Sequence, residues 1–155
     1  MTLMGQKVSS LLKKRVIILE ETVNFIVNIR LEMQFRADNL LSLLSSVYNL
    51  SVCRNLDYMI DCTERLSAGE CFSSAWKTAV TNSRLPYRIE EKLKLISMSD
   101  FLGTSDKESQ REMLGLYEEY FIAFFKKADE ENTKYSKICV MLGFVSGFGI
   151  FIMVV

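Results

Sequence analysis

The sequence predicts an all-α protein, a helical bundle of about six helices whose long C-terminal helix runs into a membrane anchor. Three observations predict it. The 155 residues include one Pro and seven Gly, so little interrupts helix over most of the chain. Apolar residues recur in steps of three, four or seven, the period of one helix face. The charges stop at Lys137, after which residues 138–155 form an unbroken run of eighteen uncharged, mostly apolar side chains. The expected organisation is a cytoplasmic helical bundle domain over residues 1–137 and a C-terminal transmembrane segment over 138–155.

Composition narrows the functional classes. With 49% hydrophobic and 25% charged residues the chain is globular, and its length suits one domain. Nineteen basic residues balance nineteen acidic ones, which removes the broad attraction on which nonspecific nucleic-acid binding depends. There is no histidine, so His-based triads, His general bases and His-ligated zinc are excluded by composition.

The first helix carries Leu12, Leu19, Val23, Ile26 and Met33, a spacing that continues to Leu40 and Leu44. Residues 16–35 do not read as a membrane span, because Glu20, Glu21, Asn24, Asn28, Arg30 and Glu32 lie among them. Each central charge would cost roughly 2.5–3.5 kcal/mol in hydrocarbon. Asp38 is placed to cap a second helix through Leu40, Leu41, Leu43, Leu44 and Val47, and residues 48–54 read as a loop on the turn formers Asn49 and Ser51. A third helix follows over about residues 56–66. Gly69 then reverses the chain, using its tolerance of positive φ. Phe72, Ala75, Trp76, Ala79 and Val80 define a fourth apolar face, which ends at Arg84, Leu85 and Pro86, with Trp76 as a core anchor. Ile89, Leu93, Ile96 and Phe101 make a fifth. Gly103 stops it, and Ser105 with Glu108 reads as a capping box for the next start. From Asp106 one helix of about 50 residues runs into the tail, with a near-heptad seam of Leu114, Tyr117, Phe121, Phe124, Ala128 and Tyr135.

Eighteen helical residues rise about 27 Å, close to the hydrocarbon thickness of roughly 30 Å. Lys126, Lys127, Lys134 and Lys137 precede the run, which predicts that residues 1–137 face the cytoplasm. Gly143 and Gly147 stand in the G-x-x-x-G spacing that lets membrane helices pack closely.

The chemistry-bearing residues assemble into no catalytic, cofactor or metal site. Cys53, Cys62 and Cys71 are nine residues apart, unlike the C-x-x-C of zinc or redox sites, and are expected as buried reduced thiols, with Cys139 in the tail. The carboxylate runs Glu20-Glu21, Glu90-Glu91, Glu118-Glu119 and Asp129-Glu130-Glu131 read as solvated helix faces. No G-x-x-x-x-G-K-[ST] loop occurs, so the chain is not expected to hydrolyse nucleotide by that route. The corner Leu102, Gly103, Thr104, Ser105 and Asp106, with the first turn through Gln110, is the candidate partner contact.

Phe72, Ala75-Trp76, Leu85-Pro86, Leu102-Gly103-x-Ser105-Asp106-x-Glu108-x-Gln110 and Lys134-Tyr135 before a glycine-containing apolar end form an ordered set. With Leu31-Glu32-Met33-Gln34 and Leu40 upstream, it resembles the stage III sporulation protein AB family over about residues 10–155. The resemblance implies a fold similar to the cytoplasmic helical domain of the type II secretion inner-membrane platform protein. It also implies a place in the mother-cell complex that joins mother cell and forespore, beside a secretion-type ATPase, the stage III sporulation protein AA. Other membrane proteins of that complex would be further partners. The pattern departs from the family at its start, where a further apolar membrane helix is expected ahead of the long first one. The expected function is a non-enzymatic, membrane-anchored platform that docks the ATPase, on the mother-cell side of the engulfing forespore membrane. The rival is a membrane-tethered helical adaptor or signalling protein unrelated to secretion.

Overall fold

Arg15 near one end of the chain and Glu131 near the other lie 2.9 Å apart, and so do Arg30 and Glu118. Rising numbers on one helix meet falling numbers on the other, so the two long helices are antiparallel. A computed structural model describes the backbone of residues 3–35, 40–49, 53–103 and 106–154, and the side chains of 7–33, 42–47, 53–103 and 106–138. Among the described residues there are six α-helices and no strand: α1 (Leu3–Phe35), α2 (Leu40–Asn49), α3 (Asp57–Ser67), α4 (Phe72–Asn82), α5 (Ile89–Ser97) and α6 (Lys107–Val154), with a 3-10 turn at Met98–Asp100. The all-α expectation holds. Among the described residues no helix is long and apolar enough to cross a membrane. The side chains of 139–155, on which the expected anchor and the Gly143/Gly147 packing fall, lie outside the described residues, as does the expected cap Asp38.

The short helices α2 to α5 cover the middle of the α1–α6 pair, and Trp76 of α4 joins them to it. Its ring stacks on Phe25 of α1 at 5.7 Å, meets Tyr58 of α3 edge-on at 5.5 Å and touches Phe72 at 5.6 Å. Its indole N–H donates to the Leu95 carbonyl of α5 at 2.8 Å. Aromatic pairs of this kind add about 0.5–1.5 kcal/mol each beyond area burial. Trp76 is fully buried, so the anchor role expected for it is met.

Helix ends follow local chemistry. Gly69 adopts φ +92° after α3, where its N–H and that of Glu70 bond back to Leu66 and Arg65 carbonyls. Lys92 reaches from α5 to donate to the Thr81 and Ser83 carbonyls at the end of α4, a cation placed at the negative end of a helix. Asp57 accepts from the Ser83 hydroxyl at 2.6 Å and so ties the start of α3 to that same end. Tyr48 and Asn49 finish α2 rather than opening a loop.

Two faces differ from their expected positions. On α1 the buried residues are Ile18, Leu19, Thr22, Phe25, Ile26 and Ile29, with Arg15 in line, while Leu12, Val23 and Met33 are only half-buried. On α5 the expected Ile89 and Leu93 are 81% and 60% exposed, and Glu91, Leu95 and the following Met98 point inward. The packing of α5 against α1 brings Arg15 and Glu91 together as an ion pair, so a charged position of each helix faces the core. The seam of α6 matches its expected positions at Leu114, Tyr117, Phe121 and Ala128, with Phe124 and Tyr135 half-buried.

Candidate functional site

The expected contact corner lies between the 3-10 turn and α6. Gly103 has φ +85°, the left-handed conformation that a chain reversal needs and that glycine adopts without strain. It is exposed, and so is Asp106. Leu102 is 1% exposed and Gln110 is 6% exposed, so neither offers its side chain to a partner. Leu102 belongs to the hydrophobic core, and its N–H bonds to the Met98 carbonyl across the 3-10 turn. Gln110 stands one and two turns before Leu114 and Tyr117 on the buried seam of α6. Thr104 and Ser105 lie outside the described residues.

The cap of α6 is Asp106. Its Oδ2 accepts the Ser109 N–H at 3.3 Å. Hydrogen bonds from the Ser109 side chain and backbone hold the Asp106 carboxyl below its usual value. Beside it Glu108 and Arg111 pair at 3.2 Å. The surface offered at this corner is therefore Gly103, Asp106 and the first turn of α6, with its polar backbone groups capped.

A second constellation escaped the sequence reading. Arg15 makes a fork to Glu91, with Nη2 on Oε1 and Nε 3.4 Å from Oε2, and its Nη1 reaches Glu131 at 2.9 Å. Arg88 donates to the same Glu131 oxygen at 2.7 Å through its side chain and to Glu91 at 2.8 Å through its backbone N–H. Glu91 is 1% exposed and Arg15 6%. Glu91 and Glu131 thus belong to an ion-pair network that joins α1, α5 and α6, not to solvated faces. Burial alone would lower the Arg15 pKa, but bonds and charge from Glu91 and Glu131 outweigh it and raise it further. Glu131 is raised by desolvation, yet the Arg15 bond and the charges of Arg88 and Arg15 leave it below its usual value. Two signals were in the sequence. Glu91 follows the Pro86 loop at the third position of α5, where a carboxylate commonly bonds back to the helix start, and Arg15 falls in step with Leu19, Thr22 and Ile26.

Two further charged groups, on α1, are engaged with neighbouring segments. Glu21 accepts the Asn55 N–H at 3.0 Å, and Arg30 lies against Glu118 in an open groove lined also by Leu31, Arg111, Glu112 and Gly115. Among the described residues no three Cys, Asp or Glu side chains are grouped to hold a metal. Cys53 and Cys62 are buried as expected, but Cys71 is exposed because it occupies the extended position before α4. Burial, with the charge of Glu21 adding, pushes the Cys53 thiol to about 11. Burial, with the charge of Asp61 adding, pushes Cys62 to about 12.

The family model for stage III sporulation protein AB matches residues 1–155, the full length of the chain. The chain belongs to the stage III sporulation protein AB family. Its role is therefore in sporulation. No curated protein and no solved structure matches the chain. In this member α6 begins at the capped corner and continues without a break to Val154.

Proposed function

We propose that this member of the stage III sporulation protein AB family is a non-enzymatic platform. It is anchored in the cell membrane by residues 138–155, with the bundle in the cytoplasm on the mother-cell side of the forespore membrane. There it docks a secretion-type ATPase, the stage III sporulation protein AA, within the channel complex between mother cell and forespore.

The observation that carries the reading is the continuity of α6. One helix of 48 residues joins the exposed corner to the uncharged C-terminal run, a length of roughly 72 Å at 1.5 Å per residue. A contact at the corner is thereby linked to the membrane by a continuous rod, braced against α1 by Arg15–Glu131 and Arg30–Glu118. Family membership supplies the sporulation setting.

The test is purification of the full chain from sporulating cells with its tail intact. The platform reading expects the ATPase and membrane proteins of the complex in the eluate. Recovery of the folded chain in the membrane fraction without the ATPase would leave the adaptor reading standing instead. At the corner, Asp106→Asn is the informative substitution, because Asn keeps the helix cap while removing the charge. It is expected to weaken ATPase recovery with only a small loss of thermal stability, from the charge removed at the helix N-terminus.

A further inference from the structure

The chain's neutrality conceals a sharp division along the α1–α6 pair. Every Asp and Glu lies between residues 20 and 131. Residues 1–14 and 132–155 carry five lysines, Lys7, Lys13, Lys14, Lys134 and Lys137, and no acidic side chain. The remaining fourteen basic residues face all nineteen acidic ones in the rest of the molecule. In sequence these two segments are far apart. The antiparallel pairing brings them to one end, because Arg15 and Glu131 meet at 2.9 Å and both segments lead away from that contact in the same direction. At 1.5 Å per residue Lys7 stands roughly 12 Å beyond the pair, and Lys134 and Lys137 roughly 4.5 and 9 Å beyond it. All five lysines are exposed. Glu131, the nearest acid, is already shared between Arg15 and Arg88.

We propose that this end is a lysine collar that binds anionic lipid headgroups, with α1 supplying three of its five charges. The occupant is a lipid surface for two reasons. The collar lies beside the stretch of α6 that enters the uncharged run 138–155. The lysines are also interleaved with exposed apolar side chains, Val8 at 42%, Leu11 at 56% and Ile138 at 54%, which suit the boundary between headgroups and acyl chains. α1 is then held against the membrane as well as against α6, so the bundle is fixed in orientation and not only tethered. A lysine beside an anionic surface is worth about fivefold in binding, and the effect decays over a Debye length of roughly 8 Å at physiological salt.

The collar rests on the anchor reading for its location, but the two are separable. The full chain is diluted from detergent into an equal mixture of phosphatidylcholine vesicles and vesicles containing about one-third phosphatidylglycerol, each with its own fluorophore. The wild type is expected to favour the anionic population by at least tenfold, and Lys7→Gln, Lys13→Gln, Lys14→Gln together to lose most of that preference with an unchanged helical circular dichroism spectrum. Lys134→Gln with Lys137→Gln gives the same readout from α6 should the triple variant fail to fold. Equal partition of the wild type, or a preference that both variants retain, overturns the collar and leaves the anchor. Binding only to anionic vesicles, reversed by high salt, supports the collar and overturns the anchor. Binding to neither overturns both. Removal from anionic vesicles by duplex DNA at equal phosphate concentration would assign the lysines to nucleic acid and overturn the lipid proposal.

Discussion

Arg15 and Glu91, 76 residues apart in sequence, form a fork-like ion pair inside the bundle, with Arg15 on the first long helix and Glu91 on the short fifth one. Both are nearly inaccessible to water. A buried pair costs desolvation and returns it through geometry, so its net gain is small while its disruption is expensive. It stands on the inward faces of both α1 and α5.

Glu91→Gln leaves Arg15 buried with only Glu131 as its anionic partner. A loss of about 3 kcal/mol in unfolding free energy is expected. Arg88→Ala removes a side chain that is half-exposed and should cost no more than about 1 kcal/mol. The double change Arg15→Met with Glu91→Leu is expected to recover most of the loss, since an apolar pair of similar volume replaces the charged one. Urea unfolding of the three variants checks the order, and equal losses for Glu91→Gln and Arg88→Ala would remove the pair from its central position.

Acid should act through Glu131. Its pKa is depressed in the fold, so the stability it contributes is fully present above the unfolded carboxylate value of about 4.3 and is lost as pH falls through the lower folded value. Stability of the wild type should be level above about pH 5 and fall below it. Glu131→Gln should be less stable at neutral pH and show a shallower decline as pH falls below about 4.3. Parallel curves for the two proteins would refute the assignment.

The cysteines should separate by reactivity. In a Cys139→Ser background, Cys71 is expected to react with a thiol reagent within minutes in the native protein. Cys53 and Cys62, buried and with thiols at about 11 and about 12, should react only as fast as the fold opens. Mass spectrometry of the labelled peptides reads this directly, and fast modification of Cys53 or Cys62 would contradict their burial.

Two glycines should respond oppositely to alanine. A Cβ at Gly69 meets open space, yet φ +92° strains any side-chain-bearing residue, so Gly69→Ala should destabilise by about 1 kcal/mol. A Cβ at Gly115 would stand 3.3 Å from the Arg30 guanidinium, the mobile end of a long side chain that can shift by a few tenths of an ångström. Gly115 sits within α6, where alanine gains up to about 1 kcal/mol of helix propensity, so Gly115→Ala should be neutral or stabilising. Thermal unfolding of the two variants gives the signs.

The helices were legible because Pro86 is the only proline and the glycines at 69 and 103 stand where chain reversals occur. The seam of α6 was legible for a related reason, since apolar side chains at near-heptad spacing face the core. The faces of α1 and α5 were not. Hydropathy assigns Arg15 and Glu91 to solvent, and only their meeting, brought about by the packing of two distant helices, makes both inward positions. At the contact corner Gly103 was legible from turn chemistry, whereas the cap of α6 is Asp106, one residue after the Ser105 expected to open a capping box with Glu108. Leu102 and Gln110 were not legible, because their burial depends on the 3-10 turn and on the register of α6 against the bundle.

The most direct measurement of the platform reading is a titration of the full chain, held in lipid nanodiscs, with purified stage III sporulation protein AA. Saturable binding that weakens with Asp106→Asn is the expected result. No binding, with the bundle and the ATPase both folded, would contradict it.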